Sequence, residues 1–259
     1  MTIFQALILG VVEGISEFLP ISSTAHLIIS AKILQIPNTD FLSSFLISIQ
    51  LGAILSVITL YARLIWQKPK IILKLASAFL PTAIIGLMAY KLVKNVLLDN
   101  LNTIAWALLL GGIILIILEK YFAKHHKNED FKEIQDISHR QAALIGVFQS
   151  IAIIPGISRS AATIMGGLSL GISRKNIVEF SFLLALPTMA AATALDLYKN
   201  PPILETSTIY VWLLGLISAF IVAILGIRFF LKYIQRNDFQ LFGWYRIVLG
   251  LAILLYLYF

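Results

Sequence analysis

Two short stretches hold most of the residues in this chain that could do chemistry. The first, EGISEFLPISSTAH from Glu13 to His26, packs two carboxylates, three clustered hydroxyls and an imidazole into fourteen residues. The second, QSIAIIPGISRSAAT from Gln149 to Thr163, echoes it and adds a guanidinium, Arg159. Glu13 and Glu17 are four apart and so share one helix face. Like charges that close disfavour each other, so the pair needs a divalent cation or a cationic side chain to stay ionised. Oxygen-only ligands suit Mg2+ or Ca2+. The plainer alternative is a pair of hydrogen-bonded structural carboxylates.

Ser22, Ser23 and Thr24 follow Pro20 almost directly, where the free N–H groups of a starting helix point toward an anion. His26 comes three residues after Ser23. A serine within reach of an imidazole is a nucleophile–base arrangement, with a glutamate as the other candidate base; alternatively, the histidine attacks phosphorus and the serines hold oxygens. Ser158, Arg159 and Ser160 follow Pro155 and Gly156 in the same way. A planar guanidinium there suits a phosphate bidentately, or pins the two stretches together through Glu13 or Glu17. Gln50 lies inside an apolar run, FLISIQLGAI, and is expected to support the first stretch by a hydrogen bond. Gln149 aligns with Glu13 and is expected in a similar supporting role.

These residues sit in a chain that is 59% hydrophobic and only 13% charged. A soluble domain carries roughly 25% charged residues. Continuous apolar runs, each long enough to cross about 30 Å of hydrocarbon, make this an integral membrane protein of helices rather than a barrel. The absence of cysteine removes disulfides and thiolate metal sites. The net charge of +7 does not point to nucleic acid, because the positive residues lie in loops between apolar runs. The N-terminus has no basic n-region or small-residue cleavage site, so no cleaved signal peptide is expected.

Neither apolar half of 3–31 is long enough to span, and Pro20 breaks them. They read as a re-entrant pair, tolerated in a membrane only where protein or a cavity surrounds the backbone, the alternative being one kinked spanning helix across 3–31. Spans follow near 41–60, 72–92 and 103–118, then a polar loop over 119–140. A second short pair covers about 141–168, with further spans near 177–196, 208–231 and 243–259. Pro187 is expected to kink the first of these last three. His125, His126 and His139 are assigned no chemistry. Aligning Gln5 with Gln141 at a constant offset gives identities at positions 5, 6, 10, 11, 15, 21, 22, 25 and 28. Halves 1–120 and 141–259 are therefore repeats. Three spans separate the short pairs, so the halves are inverted and their broken helices meet at the repeat interface. The fold class is an all-α polytopic membrane protein with six spans and two re-entrant pairs. Fourteen Lys and Arg from Arg63 to Arg236 fall on one side, against Lys32, Lys91, Lys94 and Lys199 on the other. The positive-inside rule makes the first side cytoplasmic and puts both termini outside. Arg159 and Arg246 fit no loop and each needs a buried or interfacial partner.

With both stretches in view, the chain resembles the bacterial undecaprenyl-diphosphate phosphatase family, also called the bacitracin-resistance protein family. The resemblance runs over essentially the whole length. The family's EGxxEFLPxSSTGHL appears as EGISEFLPISSTAHL, and its PGxSRSGATI as PGISRSAATI, with Ala25 and Ala161 where the family usually has glycine. It implies that Glu13 and Glu17 are the essential acids and that Ser23 with His26 is the catalytic centre. It implies that Thr24, Ser158 and Arg159 hold phosphate. The implied fold has six spans and two inverted re-entrant pairs. The implied activity is hydrolysis of the C55 isoprenyl diphosphate carrier at a site open to the periplasm or exterior of the bacterial plasma membrane. That would regenerate the monophosphate for peptidoglycan synthesis and lower the target for bacitracin. The rival class is a transporter of an isoprenyl phosphate lipid, since inverted repeats with broken helices also build secondary transporters. The last spans offer a face for a homodimer, which nothing in their pattern demands.

Overall fold

A computed structural model describes residues 1–92, 100–125, 133–199 and 209–259. The positions of Lys94, His126, Lys127 and Lys132 in the charge and loop assignments fall outside these. The ten helices among the described residues form two runs of five. The first run is α1 (Ile3–Ser16), α2 (Ser23–Ile33), α3 (Asp40–Gln67), α4 (Lys70–Leu92) and α5 (Leu101–His125). The second is α6 (His139–Ser150), α7 (Arg159–Ser169), α8 (Arg174–Lys199), α9 (Ile209–Ile234) and α10 (Gln240–Tyr258). Six of them, α3, α4, α5, α8, α9 and α10, are long and apolar enough to cross a membrane. The chain is a polytopic helical membrane protein.

The short helices have local causes. Thr2 caps α1 and Ser138 caps α6, each in a capping box closed by the glutamine three residues on, Gln5 or Gln141. The same glutamines donate to the carbonyls that end the next helix, Leu34 at 3.1 Å and Leu170 at 3.4 Å. Each short pair is thus closed into a hairpin by one side chain. At 14 residues, α1 is about 21 Å long, short of the roughly 30 Å hydrocarbon core.

The hairpins are held from outside by exchanged partners. α1 packs mainly on α9 and α6 on α4, while α5 lies along α10 and α3 meets α8. At the repeat offset, α6 and α4 are the counterparts of α1 and α9, so the halves embrace each other. Glycine makes the approach close enough. A Cβ on Gly10 would lie 1.9 Å from Ser218 Oγ, and one on its repeat partner Gly146 would lie 1.9 Å from the Ala78 carbonyl oxygen. Apolar helices in lipid associate through such small-residue contacts rather than through the hydrophobic effect. Gly146→Val is therefore expected to destabilise by about 1–3 kcal/mol, as overpacking does. The check is a lower thermal midpoint in detergent beside Gly86→Val as control, because a Cβ at Gly86 meets nothing nearer than 3.9 Å.

Several helices run past the expected span ends: α3 continues to Gln67, and α5 runs furthest into an expected loop. Residues 119–125, expected in the polar loop, continue α5. Glu119 is fully buried there, and Arg174 at the start of α8 supplies its counter-charge, with Nε donating at 2.9 Å. Charge in the sequence suggested a loop; the distant partner allows a helix. Beyond it, Ile134–Asp136 make a short 3-10 turn. α8 runs helically through Pro187.

Candidate active site

The hairpin tips meet in the interior, and one side chain of each fastens them. Ser160 Oγ donates to the Leu19 carbonyl across the junction at 2.8 Å. Ser160 was expected among the phosphate ligands. It is fully buried, with its hydroxyl committed to Leu19 and to Ser158 Oγ at 3.0 Å, so it works behind the site as a fastener.

Both tips use the same unusual turn. Ser22 and Ser158, equivalent in the repeat, are non-glycine residues at φ +73° and +76°. Such backbone costs of order 1–3 kcal/mol and persists only where surroundings over-determine it. Each serine caps its helix, accepting at Oγ from Ala25 N (3.5 Å) or Ala161 N (3.2 Å). Ala25 and Ala161 are fully buried, so the extra methyls relative to glycine are packed inside the tips. The caps satisfy the third amide of each helix. The amides of Ser23, Thr24, Arg159 and Ser160 have no acceptor among the described residues and remain at two helix N-termini.

Glu17 is the hub between the tips. Its Oε1 accepts from Arg159 Nη2 at 3.1 Å and Nε at 3.3 Å, and its Oε2 accepts from Ser23 Oγ at 2.5 Å. Arg159 is held from behind by the Ser181 carbonyl, which takes Nη1 at 2.9 Å. Ser181 itself is braced by Thr163, hydroxyl to hydroxyl, at 2.6 Å. Nothing in the sequence marked Ser181. Thr24 is partly exposed in the first turn of α2, and its hydroxyl has no partner among the described residues.

Glu13 is fully buried, and neither of its carboxylate oxygens has a hydrogen-bond partner. An orphaned buried carboxylate one turn from Glu17 suits an oxygen-seeking cation. Of the roughly four acceptor positions on a carboxylate, Glu17 uses three, whereas Glu13 keeps all of its own. Among the described residues no set of three or more His, Cys, Asp or Glu could hold a metal. A divalent ion here would complete its shell with water and ligand oxygens, as Mg2+ commonly does.

Of the two bases the sequence offered for Ser23, His26 or a glutamate, His26 is turned elsewhere. Its Nδ1 lies 2.7 Å from the Ser22 carbonyl and its Nε2 lies 2.7 Å from Tyr245 OH on α10. Ser23 donates instead to Glu17. The reason is geometric: one turn into a helix the imidazole falls back on the capping carbonyl. Gln50 is half-buried and makes no hydrogen bond to the first tip. Gln149 is buried in the second half, donating to Thr82 Oγ1 at 3.0 Å and Thr188 Oγ1 at 3.1 Å. It supports the packing of α6 on α4 and α8.

Arg246 finds its partners in carbonyls. This fully buried guanidinium donates to Pro20 (3.2 Å), Ile157 (2.7 Å), Gly156 (3.0 Å) and Ala107 (3.1 Å). Three of those acceptors lie in the tips, so α10 holds both turns with one side chain. A lone cation in an apolar span was the signal; its partners had none.

The arrangement brings together a hydroxyl bonded to a carboxylate, a guanidinium, free amides and an orphaned carboxylate. Those are parts for phosphoryl transfer. The comparisons bear on this reading. A family model described as Bacitracin resistance protein BacA matches residues 6–252. The undecaprenyl-diphosphatase of Aquifex aeolicus is 48% identical, over 97% of this chain and 97% of its own. That of Wolinella succinogenes is 48% identical over 99% of each. A Bdellovibrio bacteriovorus protein of the same name is 46% identical over 100% of this chain and 97% of its own.

Proposed function

The chain belongs to the bacitracin resistance protein BacA family, and we propose that it is an undecaprenyl-diphosphate phosphatase whose reaction runs between the two tips. It hydrolyses undecaprenyl diphosphate to the monophosphate and inorganic phosphate. The product returns the lipid carrier to cell-wall assembly, and removal of the diphosphate confers bacitracin resistance. The observation that carries the site is the Ser23–Glu17–Arg159 chain across the tip junction.

The C55 tail stays in the bilayer and the diphosphate enters between the tips. Arg159 turns from Glu17 to the terminal phosphoryl group, joined by the amides of Ser23 and Thr24 and the Thr24 hydroxyl. Ser158, whose hydroxyl already caps α7, contributes through the turn it shapes. Ser23 Oγ attacks the terminal phosphorus and its proton passes to Glu17 Oε2. The bond from that phosphorus to the bridging oxygen breaks, and the bridging oxygen leaves on the lipid monophosphate. Water then attacks the phosphoserine, the Ser23 Oγ–phosphorus bond breaks, and Ser23 regains a proton from Glu17. One proton of the water stays on the oxygen now bound to phosphorus, and the other passes to another phosphate oxygen or to solvent. Glu13, with Glu17 contributing one position, would hold a divalent cation, Mg2+ or Ca2+, which when bound offsets the charge of the diphosphate. The excess of positive loops supports a cytoplasmic 119–140 side with the termini outside, and the family resemblance supports a site open to the exterior.

Purified protein in detergent is expected to release phosphate from the C55 diphosphate. A chelator is expected to lower that release by at least about tenfold, as loss of one charge-stabilising contact does. Detergent abolishes inside and outside, so a pure transporter cannot produce this signal. Bound lipid with no release under any divalent ion would overturn the enzyme reading. Full release in chelator would remove the cation from it.

A further inference from the structure

We propose that His26 is a positioning residue for the Ser22–Ser23 peptide, and that Tyr245 is the second half of the same brace. This rests on the phosphatase reading and deepens it. Three hydrogen-bonding facts carry it. Ser23 Oγ, the attacking atom in that reading, donates a hydrogen bond to Glu17 at 2.5 Å, so its base is already in place. His26 Nδ1 is 2.7 Å from the Ser22 carbonyl oxygen, which can only accept, so Nδ1 carries the hydrogen and donates. Nε2 is then the acceptor, and the Tyr245 hydroxyl at 2.7 Å donates to it.

The result is one directed chain from Tyr245 O–H through the imidazole to the Ser22 carbonyl. That carbonyl belongs to the same amide group as the Ser23 N–H. Ser22 sits at φ +73°, a backbone state that needs holding. A donor on the carbonyl fixes the plane of the peptide and so aims its N–H. It also polarises the peptide, because hydrogen bonds in series strengthen one another in a low-dielectric interior. The Ser23 amide has no acceptor among the described residues, which leaves it for a phosphoryl oxygen. The Tyr245 and His26 rings stack, 5.6 Å apart and 9° from parallel, so the brace spans from α10 to α2 on a fixed face. Its neighbour Arg246 holds the Pro20 carbonyl from the same helix. α10 therefore clamps the first tip at both ends of its turn.

A brace and a base answer differently to asparagine, whose side-chain N–H stands where Nδ1 stands but which accepts no proton. His26→Ala is expected to lower kcat by about 10²-fold, the loss of an aimed amide donor. His26→Asn is expected to recover to within about tenfold of wild type, and Tyr245→Phe to lose about threefold to tenfold, a neutral hydrogen bond's worth. Nitrogen NMR of histidine-labelled protein supplies a readout that packing alone does not move. With the His26 signals assigned by their absence in His26→Asn, wild type is expected to show Nδ1 protonated and Nε2 bare and hydrogen-bonded. Tyr245→Phe is expected to shift Nε2. His26→Asn as inactive as His26→Ala, with both folded by thermal melting, would overturn the brace and make the imidazole a proton acceptor. So would a protonated Nε2 in wild type. Absent phosphate release by wild type would instead sink the phosphatase reading itself.

Discussion

Arg159→Ala is expected to lower kcat by about 10³-fold, the range over which a lost oxyanion donor meets a lost arginine on a transferring phosphoryl group. The guanidinium is the cationic side chain that crosses from the second tip to the first, reaching Glu17 Oε1 with two nitrogens at 3.1 and 3.3 Å. Ser181 holds the third nitrogen and sets the plane of the fork. The loss falls on kcat because charge shifts toward the equatorial and bridging oxygens in the transition state. The same substitution leaves Glu17 without its counter-charge in a buried setting. Arg159→Lys keeps one charge but not the two-pronged geometry, so it is expected to recover less than about tenfold of the loss. Single-turnover phosphate release by folded protein checks both. Arg159→Ala within tenfold of wild type would take the guanidinium out of the reaction and leave it a pin between tips.

Removing Arg246 is expected to cost stability before it costs chemistry. Arg246→Met strips donors from four carbonyls and is expected to destabilise by about 3–5 kcal/mol, since each buried acceptor left without a donor costs about 1–3 kcal/mol. Those carbonyls belong to Pro20, Gly156, Ile157 and Ala107, so both tips and α5 loosen together. Lysine has one nitrogen where four acceptors are spread, so Arg246→Lys is expected to rescue little. Gly111 gives an independent check. A Cβ there would stand 2.2 Å from Arg246 Nη2, so Gly111→Ala pushes on the guanidinium without touching its charge. Thermal melting in detergent is expected to rank wild type above Gly111→Ala, and Gly111→Ala above Arg246→Met. An unchanged midpoint for Arg246→Met would show that the tips hold without it.

The class of protein was legible because lipid imposes a simple rule. Backbone must bond within its own segment, so apolar length maps directly onto spans, and six spans emerge close to their expected places. The boundaries drifted outward where polar residues found partners in the fold. Glu119 continued a helix because Arg174 met it. The tips were legible for a similar reason. Carboxylates, hydroxyls and a guanidinium are costly in an apolar chain, so Glu13, Glu17, Ser23 and Arg159 stood out by type and spacing.

The pairing of those residues was not legible. Sequence left His26 or a glutamate as the base for Ser23, and the fold joined Ser23 to Glu17. Gln50 stood out by type and has no hydrogen bond to the first tip among the described residues. Tyr245 and Ser181 had no signal, because a tyrosine in a membrane helix and a backbone carbonyl are ordinary until something reaches them. The sequence by itself determined the helical membrane class, the two related halves and the list of groups that could handle phosphate, since those follow from composition and from local period. Only the tertiary structure decided which hydroxyl meets which carboxylate, where the imidazole points and which carbonyls hold Arg246. Those depend on residues up to 226 positions apart meeting within hydrogen-bond distance, as Arg246 meets Pro20. Such contacts are set by how ten helices pack, and no local pattern encodes that.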